Sequence, residues 1–376
     1  MNKRLHILFL CGWFPSRVSP TNGDFIQRHA QAVSLKHKVT IFHIISDKNT
    51  KKTIEIDSSI INGVETHIAY LKQTKNPLKK GFLFFKAYKS LLDKIDFFDL
   101  IHLNETFPFG VLSLYSKWFH KKPYIISEHW TGYHYPNSKN ISFLQKKIIK
   151  IITKNASFVC PVTNDLKKSM TKLGFKGNFK RVPNVVDTNL FYPIKKTNFT
   201  YTITHISNMI NEHKNIEGVL RVFAKIEKQV NEINFKIIGN QSDKYLSFAR
   251  KLNINLKKTS FINQIPHNEI AKELQNSNLF VLFSNYENLP CVILEAFSCG
   301  VPVISTDVGG INEFFPQDFG YLIDVNDETD LFNKIIQMFN GFKADKNKMH
   351  NYVEEEFSET SIANQFTTLY QKTLNR

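Results

Sequence analysis

Short apolar runs recur along the chain, separated by stretches with one apolar stripe. Residues 5–11, 39–46, 64–70, 99–104, 122–127 and 158–163 form such runs in the first half. Residues 201–206, 235–238, 260–262, 279–283, 301–305 and 320–324 form them in the second. Strands buried on both faces read as continuous apolar runs, so these predict parallel sheets covered on both sides. Between them the 3.6-residue period predicts helices over 25–35, 77–92, 141–154, 165–173, 217–229, 246–252, 268–275, 290–299, 328–339 and 358–374. Gly174 and Gly300 stand where helix C-caps belong. Alternating strand and helix argue an α/β class. The polar stretch 192–198 divides the elements into domains at 1–192 and 199–357, followed by the last helix.

Length supports the division, since 376 residues exceed what one core usually organises. At 42% hydrophobic, the composition is that of a folded protein. The cysteines, Cys11, Cys160, Cys291 and Cys299, are scattered without a C-x-x-C pair. That argues against zinc and a disulfide framework, and fits a reducing compartment. Residues 5–11 are too short for a signal peptide and lack a small-residue cleavage site, so a first buried strand is expected. No stretch approaches the roughly 18 apolar residues of a spanning helix. A cytoplasmic protein, or one peripheral on the inner membrane face, is expected.

Charge is distributed unevenly. Residues 1–190 carry 30 Lys and Arg against 12 Asp and Glu, whereas the remainder carries 19 against 21. The basic half suits an anionic surface: phospholipid, a lipid diphosphate or nucleic acid. Helix 77–92 sets aromatic and leucine positions beside lysines, which suits a helix lying on an anionic membrane. A helix packed on the sheet with solvated lysines gives the same pattern.

The candidate chemistry gathers around two glutamates eight positions apart. Glu287 falls in the loop after strand 279–283, and Glu295 about two turns into the helix that opens at Pro290. Ligands bind at the carboxyl edge of open α/β sheets. There carboxylates accept hydrogen bonds from hydroxyls, and helix-start N–H groups hold anionic or hydroxyl oxygens. The loop between the first strand and helix carries Gly12, Trp13, Gly23 and Phe25. Glycine there lets backbone N–H groups approach a phosphate. With no G-x-G-x-x-G, a dinucleotide cofactor is not indicated. His129 stands at a strand end beside Glu128 and Trp130, where imidazole can donate to a sugar hydroxyl or a phosphate.

The string from Glu287 to Ser305, with Gly309-Gly310-x-x-Glu313 after it, resembles the E-x7-E signature of retaining family 4 (group 1) glycosyltransferases. Residues 13–25 resemble that family's first loop, His129 its strand-then-His site, and 183–191 its hinge, with Val185 in place of the usual Gly. The resemblance spans nearly the whole chain and is strongest over 203–323. It implies a GT-B fold, two Rossmann-like domains facing across a cleft, with helix 358–374 returning to the first domain. It also implies that the second domain binds a nucleotide-sugar donor and the first an acceptor.

In that reading Glu287, Lys214 and His129 serve catalysis. Glu295 takes the ribose hydroxyls, Ile265 lies beside the base, and Asn288, Leu289, Pro290, Gly239 and Gly23 line the donor. Trp13, Phe25, Glu128 and Trp130 face the acceptor. Asn208 stands where the family has an Arg that grips the diphosphate; an amide offers neither charge nor a bidentate fork. No metal or cofactor is expected, the nucleotide sugar being a substrate. The implied activity is retaining transfer of a hexose or N-acetylhexosamine from a UDP- or GDP-sugar to a saccharide hydroxyl. A lipid-linked acceptor in capsule, lipopolysaccharide or glycolipid synthesis is expected. An epimerase of the same fold and a non-catalytic transferase-like subunit are the alternatives, and no nucleic-acid partner is expected.

Overall fold

The computed structural model describes residues 4–196 and 200–375. Residues 197–199, the end of the expected linker and the start of the expected second domain, lie outside them. The chain forms two compact units, Met1–Val185 with Glu359–Arg376, and Val186–Ser358.

In unit 1 the elements run β1 (His6–Cys11), α1 (Asp24–Ser34), β2 (Lys38–Asp47), β3 (Ile54–Ile61), β4 (Val64–Lys72), α2 (Pro77–Leu92) and β5 (Leu100–Asn104). They continue with α3 (Gly110–His120), β6 (Tyr124–Glu128), α4 (Phe143–Asn155), β7 (Phe158–Pro161) and α5 (Asn164–Lys172). The sheet order is β3-β4-β2-β1-β5-β6-β7, all parallel but for the edge strand β3. The sequence signal for β3 is weak because most of it is solvated. The hairpin turn that makes it, Asn62-Gly63, has both residues at positive φ, the geometry this dipeptide favours.

Unit 2 runs β8 (Tyr201–Ile206), α6 (Asn211–Lys214), α7 (Ile216–Glu227), β9 (Ile233–Ile238), α8 (Leu246–Lys251), β10 (Thr259–Ile262) and α9 (His267–Gln275). Then follow β11 (Leu279–Leu282), α10 (Cys291–Ser298), β12 (Val303–Thr306), β13 (Gly320–Ile323), α11 (Glu328–Phe339) and α12 (Lys346–Phe357). The sheet order β10-β9-β8-β11-β12-β13 is wholly parallel. It is the 3-2-1-4-5-6 order, whose switch point lies between its first and fourth strands, here β8 and β11. The parallel strands of unit 1 repeat that order, with the switch between β1 and β5.

The last helix, α13 (Glu359–Leu374), belongs to unit 1. It lies along α1, with Phe366 against the His102 ring at 4.6 Å and Tyr370 Oη 2.6 Å from His102 Nδ1. Helix α12, absent from the sequence reading, starts at Asp345, whose Oδ1 accepts from the N–H groups of Asn347 and Lys348 at 3.0 Å. Its apolar stripe, Met349, Val353 and Phe357, is buried at i, i+4, i+8.

Two expectations change. Residues 186–192 join unit 2 instead of closing the first domain. Val186 N–H donates to Phe357 O at 2.9 Å, and Gln275 Nε2 donates to Leu190 O and Tyr192 O. Helix α2 is not surface-lying along its whole length, because Leu83, Ala87, Tyr88 and Leu91 are buried and Tyr88 Oη is bonded to Ser116 Oγ at 2.7 Å.

Candidate functional site

In unit 2 the loops leaving β8 and β11 meet at the switch point. They are tied by their backbones: Asn285 N–H donates to His213 O at 2.7 Å, and its Nδ2 donates to Glu212 O at 3.0 Å. This brings Lys214, on the short helix α6, onto Glu287. Lys214 Nζ donates to Glu287 Oε1, and Ser284 Oγ donates to the same oxygen at 2.7 Å. Both charged side chains are largely buried, 15% and 9% exposed. A charge pair withdrawn from water is held by geometry as well as attraction, and Ser284 supplies the additional hydrogen bond such a pair needs. Ser284 itself is fixed, its carbonyl accepting from Thr306 Oγ1 at 2.6 Å.

The glycine turn after β12 braces Glu287 from the other side. Gly310 N–H donates to Asn288 O at 3.1 Å. Gly309 has φ 60°, and a Cβ there would lie 2.0 Å from Glu287 O, so no larger residue fits beside the glutamate. Asn288 and Leu289 are buried beneath this turn, and Pro290 precedes the first turn of α10. Glu295, on α10, is 4% exposed and its Oε1 lies 2.9 Å from His267 Nε2. His267 opens α9 and packs against Phe191 at 4.8 Å between ring centroids. Ile265, half-buried, lies two residues before His267.

Asn208 is exposed, and its side-chain Oδ1 accepts from Ile210 N–H at 3.2 Å. It shapes the turn after β8, and a cation at that position is absent. The turn is pinned further by Ser207 Oγ, 2.9 Å from His205 Nε2. Gly239 closes on it: with φ 155°, a Cβ there would lie 1.9 Å from Ser207 O. Burial pushes the His205 imidazole down to about 4, so it is neutral at physiological pH.

In unit 1 the switch-point loops carry a different chemistry. Gly12 N–H donates to Asn104 O at 2.9 Å. Glu105, at φ 74°, lays its carboxyl over Gly12, where a Cβ would come within 2.1 Å of Oε2. Burial, and then the charge of Glu128, lift Glu105 up to about 9, so it holds its proton near neutral pH.

Glu128 is fully buried and anchors the loop, where an acceptor contact was expected. Its Oε1 accepts from His129 N–H at 2.9 Å and Trp130 N–H at 3.0 Å. Its Oε2 accepts from Thr106 N–H at 3.0 Å, Thr106 Oγ1 at 2.5 Å and Tyr133 Oη at 3.4 Å. Burial also raises this carboxyl, against the pull of its donors.

His129 sits among rings, Phe25 at 4.7 Å and His29 at 5.4 Å. Burial and the His29 neighbour hold it well below the usual histidine range. Trp13 packs edge-on to Phe25 at 6.2 Å, and Gly23, at φ 77°, lets the two ends of their loop close. Trp130 packs on Tyr133 at 5.0 Å. Arg17, the one arginine of this loop, is held over the Tyr70 ring by Asp47 and Glu55.

Thus unit 2 brings Lys214 onto Glu287 and sets Glu287 and Asn288 against one glycine turn, with Leu289 next in the chain and Glu295 on the helix that follows. Unit 1 brings His129 to Phe25 and Trp13, with Trp130 on the adjoining loop. Ser284, His267 and Glu105 were not found from sequence. Ser284 read only as a strand end, and no local period marks a histidine or glutamate whose partner comes from a distant segment. Among the described residues no three of His, Cys, Asp and Glu are placed to hold a metal ion.

Residues 27–190 match the family model described as Glycosyltransferase Family 4, and residues 194–356 the one described as Glycosyl transferases group 1. The chain is 32% identical over 180 residues to N-acetyl-alpha-D-glucosaminyl L-malate synthase of Bacillus anthracis, covering 46% of this chain and 45% of that one. It spans about half the length of the first curated relatives it matches. Sucrose-phosphate synthase from Thermosynechococcus elongatus has the same fold, with TM-score 0.78 at 18% identity over 98% of this chain and 99% of that one. Anabaena HepE in complex with UDP-glucose gives TM-score 0.71 at 15% identity, over 98% and 100%. Both are likenesses of fold, the GT-B architecture of two parallel-sheet α/β domains. With two family domains in succession along most of its length, the chain belongs to the group 1, family 4 glycosyltransferases.

Proposed function

We propose that the chain transfers a hexose or N-acetylhexosamine from a UDP- or GDP-sugar to a hydroxyl of a saccharide acceptor, with retention at the anomeric carbon. The observation that carries this is the buried Lys214–Glu287 pair at the switch point of unit 2, with Glu295 on the helix that follows. The HepE structure that contains UDP-glucose supports a nucleotide-sugar donor.

In this reading Glu295, steadied by His267, accepts hydrogen bonds from the ribose hydroxyls. Lys214 turns from Glu287 toward the donor diphosphate as charge develops on it. A cation is worth most at that point, because the leaving group gains charge as the bond breaks. Glu287 then faces the donor sugar. The bond from anomeric carbon to phosphate oxygen breaks, and the acceptor oxygen bonds to that carbon on the same face. The acceptor proton passes to the departing phosphate. Neutral His129 donates a hydrogen bond without adding charge, and Trp13, Phe25 and Trp130 offer apolar faces to a saccharide. The lysine-rich unit 1 suits a lipid-linked acceptor on an anionic membrane, as in surface polysaccharide or glycolipid synthesis. Among the described residues no helix is long and apolar enough to cross a membrane.

The test is thermal stabilisation by UDP, GDP, ADP and CMP and their sugars, repeated on Glu295→Ala. One nucleotide should stabilise selectively, by about 2.7 kcal/mol at a hundredfold excess over its Kd, and the variant should lose the effect. Stabilisation by none of them refutes the reading and favours a non-catalytic subunit. A free epimerised sugar released without an acceptor would favour the epimerase.

A further inference from the structure

Helices α2, α3 and α4 contain nine lysines and no Asp, Glu or Arg. Handedness puts them together. Crossovers between parallel strands are right-handed. The step from β1 to β2 runs one way along the sheet and carries α1. The steps from β4 to β5, β5 to β6 and β6 to β7 run the other way and carry α2, α3 and α4. The three therefore share the face opposite α1 and α13. Contacts agree: α3 packs on α4, and Phe85 of α2 meets Tyr115 of α3 at 4.7 Å.

This face is also apolar at its outer surface. From Tyr115 the aromatic row continues to Phe119 at 5.0 Å, and Phe119 is 71% exposed. Phe82, Trp118, Phe143 and Leu144 are exposed as well. Lysines interleave with them: Lys89 lies 5.1 Å over Phe85, and Lys147 4.5 Å over Phe143. Scattered exposed apolar residues need no explanation, but aromatic side chains gathered on an acid-free basic face do.

We infer that the α2–α3–α4 face of unit 1 is a docking surface for an anionic phospholipid bilayer. The aromatic and leucine tips enter the headgroup boundary, while lysine stems lie along them and place ammonium groups at lipid phosphates. The cations are all lysine, which suits a diffuse layer of point charges; arginine forks would suit a single ordered partner. The surface presents helices α3 and α4, which the sequence did not suggest as membrane elements. It deepens the lipid-linked acceptor of the proposed function and rests on that reading for its purpose, though not for the binding itself.

The experiment is flotation of the full chain with vesicles of phosphatidylcholine alone or with phosphatidylglycerol, at low and high salt. Trp118→Ser with Phe119→Ser, and Lys146→Glu with Lys147→Glu, are compared with a control pair in unit 2, Lys251→Glu with Lys257→Glu. Wild type and control should bind the anionic vesicles alone, weakening with salt. Each α3 or α4 variant should bind at least about tenfold more weakly, since it removes two lysines or two aromatic side chains from the contact. Equal binding to neutral vesicles, no vesicle binding, equal loss in the control, or binding to duplex DNA in place of vesicles would each overturn the inference. Nucleotide-induced stabilisation, measured on the same proteins, should persist in every variant. It reports folding and the donor reading separately from lipid binding.

Discussion

Replacing Lys214 by methionine keeps the stem and removes the charge from the pair with Glu287. The glutamate, 9% exposed, then keeps Ser284 Oγ at 2.7 Å but loses its cation. Breaking a buried ion pair from one side costs about 3–5 kcal/mol; residual exposure and the serine bond bring the expectation to about 2–3 kcal/mol. Glu287→Gln leaves an ammonium facing an amide and should cost a similar amount. The double variant removes both charges and should lose only about 1 kcal/mol, a coupling of about 3–5 kcal/mol in a double-mutant cycle. Urea unfolding without nucleotide measures all four proteins. Binding supplies the second readout: Lys214→Met should weaken a nucleoside diphosphate at least about tenfold and leave the monophosphate little changed, since in the proposed mechanism the lost charge faces the second phosphate. Single losses that simply add, or unchanged diphosphate affinity, would refute the pairing as the core of the donor site.

Two further outcomes concern unit 1. Glu128→Gln turns an amide donor toward groups that already donate and should cost about 2–4 kcal/mol in urea unfolding; an unchanged midpoint with a raised acceptor KM would restore the acceptor role. Glu105, lifted from the usual 4.5 to about 9, binds its proton in the folded chain where the unfolded chain has lost it, so its contribution to stability falls as pH rises through that window. Glu105→Gln lacks this dependence, and the stability difference between it and wild type should grow by up to about 1.4 kcal/mol per pH unit between pH 5 and 8; a flat difference would show that Glu105 is ionised.

The strands were legible wherever both faces are covered, because continuous burial leaves a continuous apolar run; β1 and β11 are of this kind. Strand β3 was not, since its middle is solvated, and the Asn62-Gly63 turn of its hairpin went unread. Helix α4 starts at a capping box, Ser142 with Gln145, two residues after the point where its apolar pattern begins. The placing of Glu287 after β11 and of Glu295 on α10 was legible through a string whose order along the chain is itself the pattern. His267 was hidden because Glu295 lies 28 positions away along the chain, and Glu105 because its setting is made by a glycine 93 positions earlier.

The two units place similar loops at similar sheet positions, and their electrostatics decide which suits a diphosphate. At the switch point of unit 1 an anion would meet Glu105 beside Gly12 and Glu128 behind it, with His29 and His129 held neutral by burial. Arg17 is already matched by two carboxylates. At the switch point of unit 2 an ammonium is positioned against one carboxylate. That ammonium can exchange its partner for a phosphate oxygen, and Glu287 then keeps the Ser284 hydroxyl. Asn208 shapes its turn without adding a second cation. In the proposed mechanism the grip on the leaving group therefore depends on Lys214 more than it would with an arginine at position 208. Asn208→Arg should tighten diphosphate binding in wild type and restore part of what Lys214→Met loses. Isothermal titration on the four proteins measures it, and no gain from the arginine would refute this placement of the leaving group.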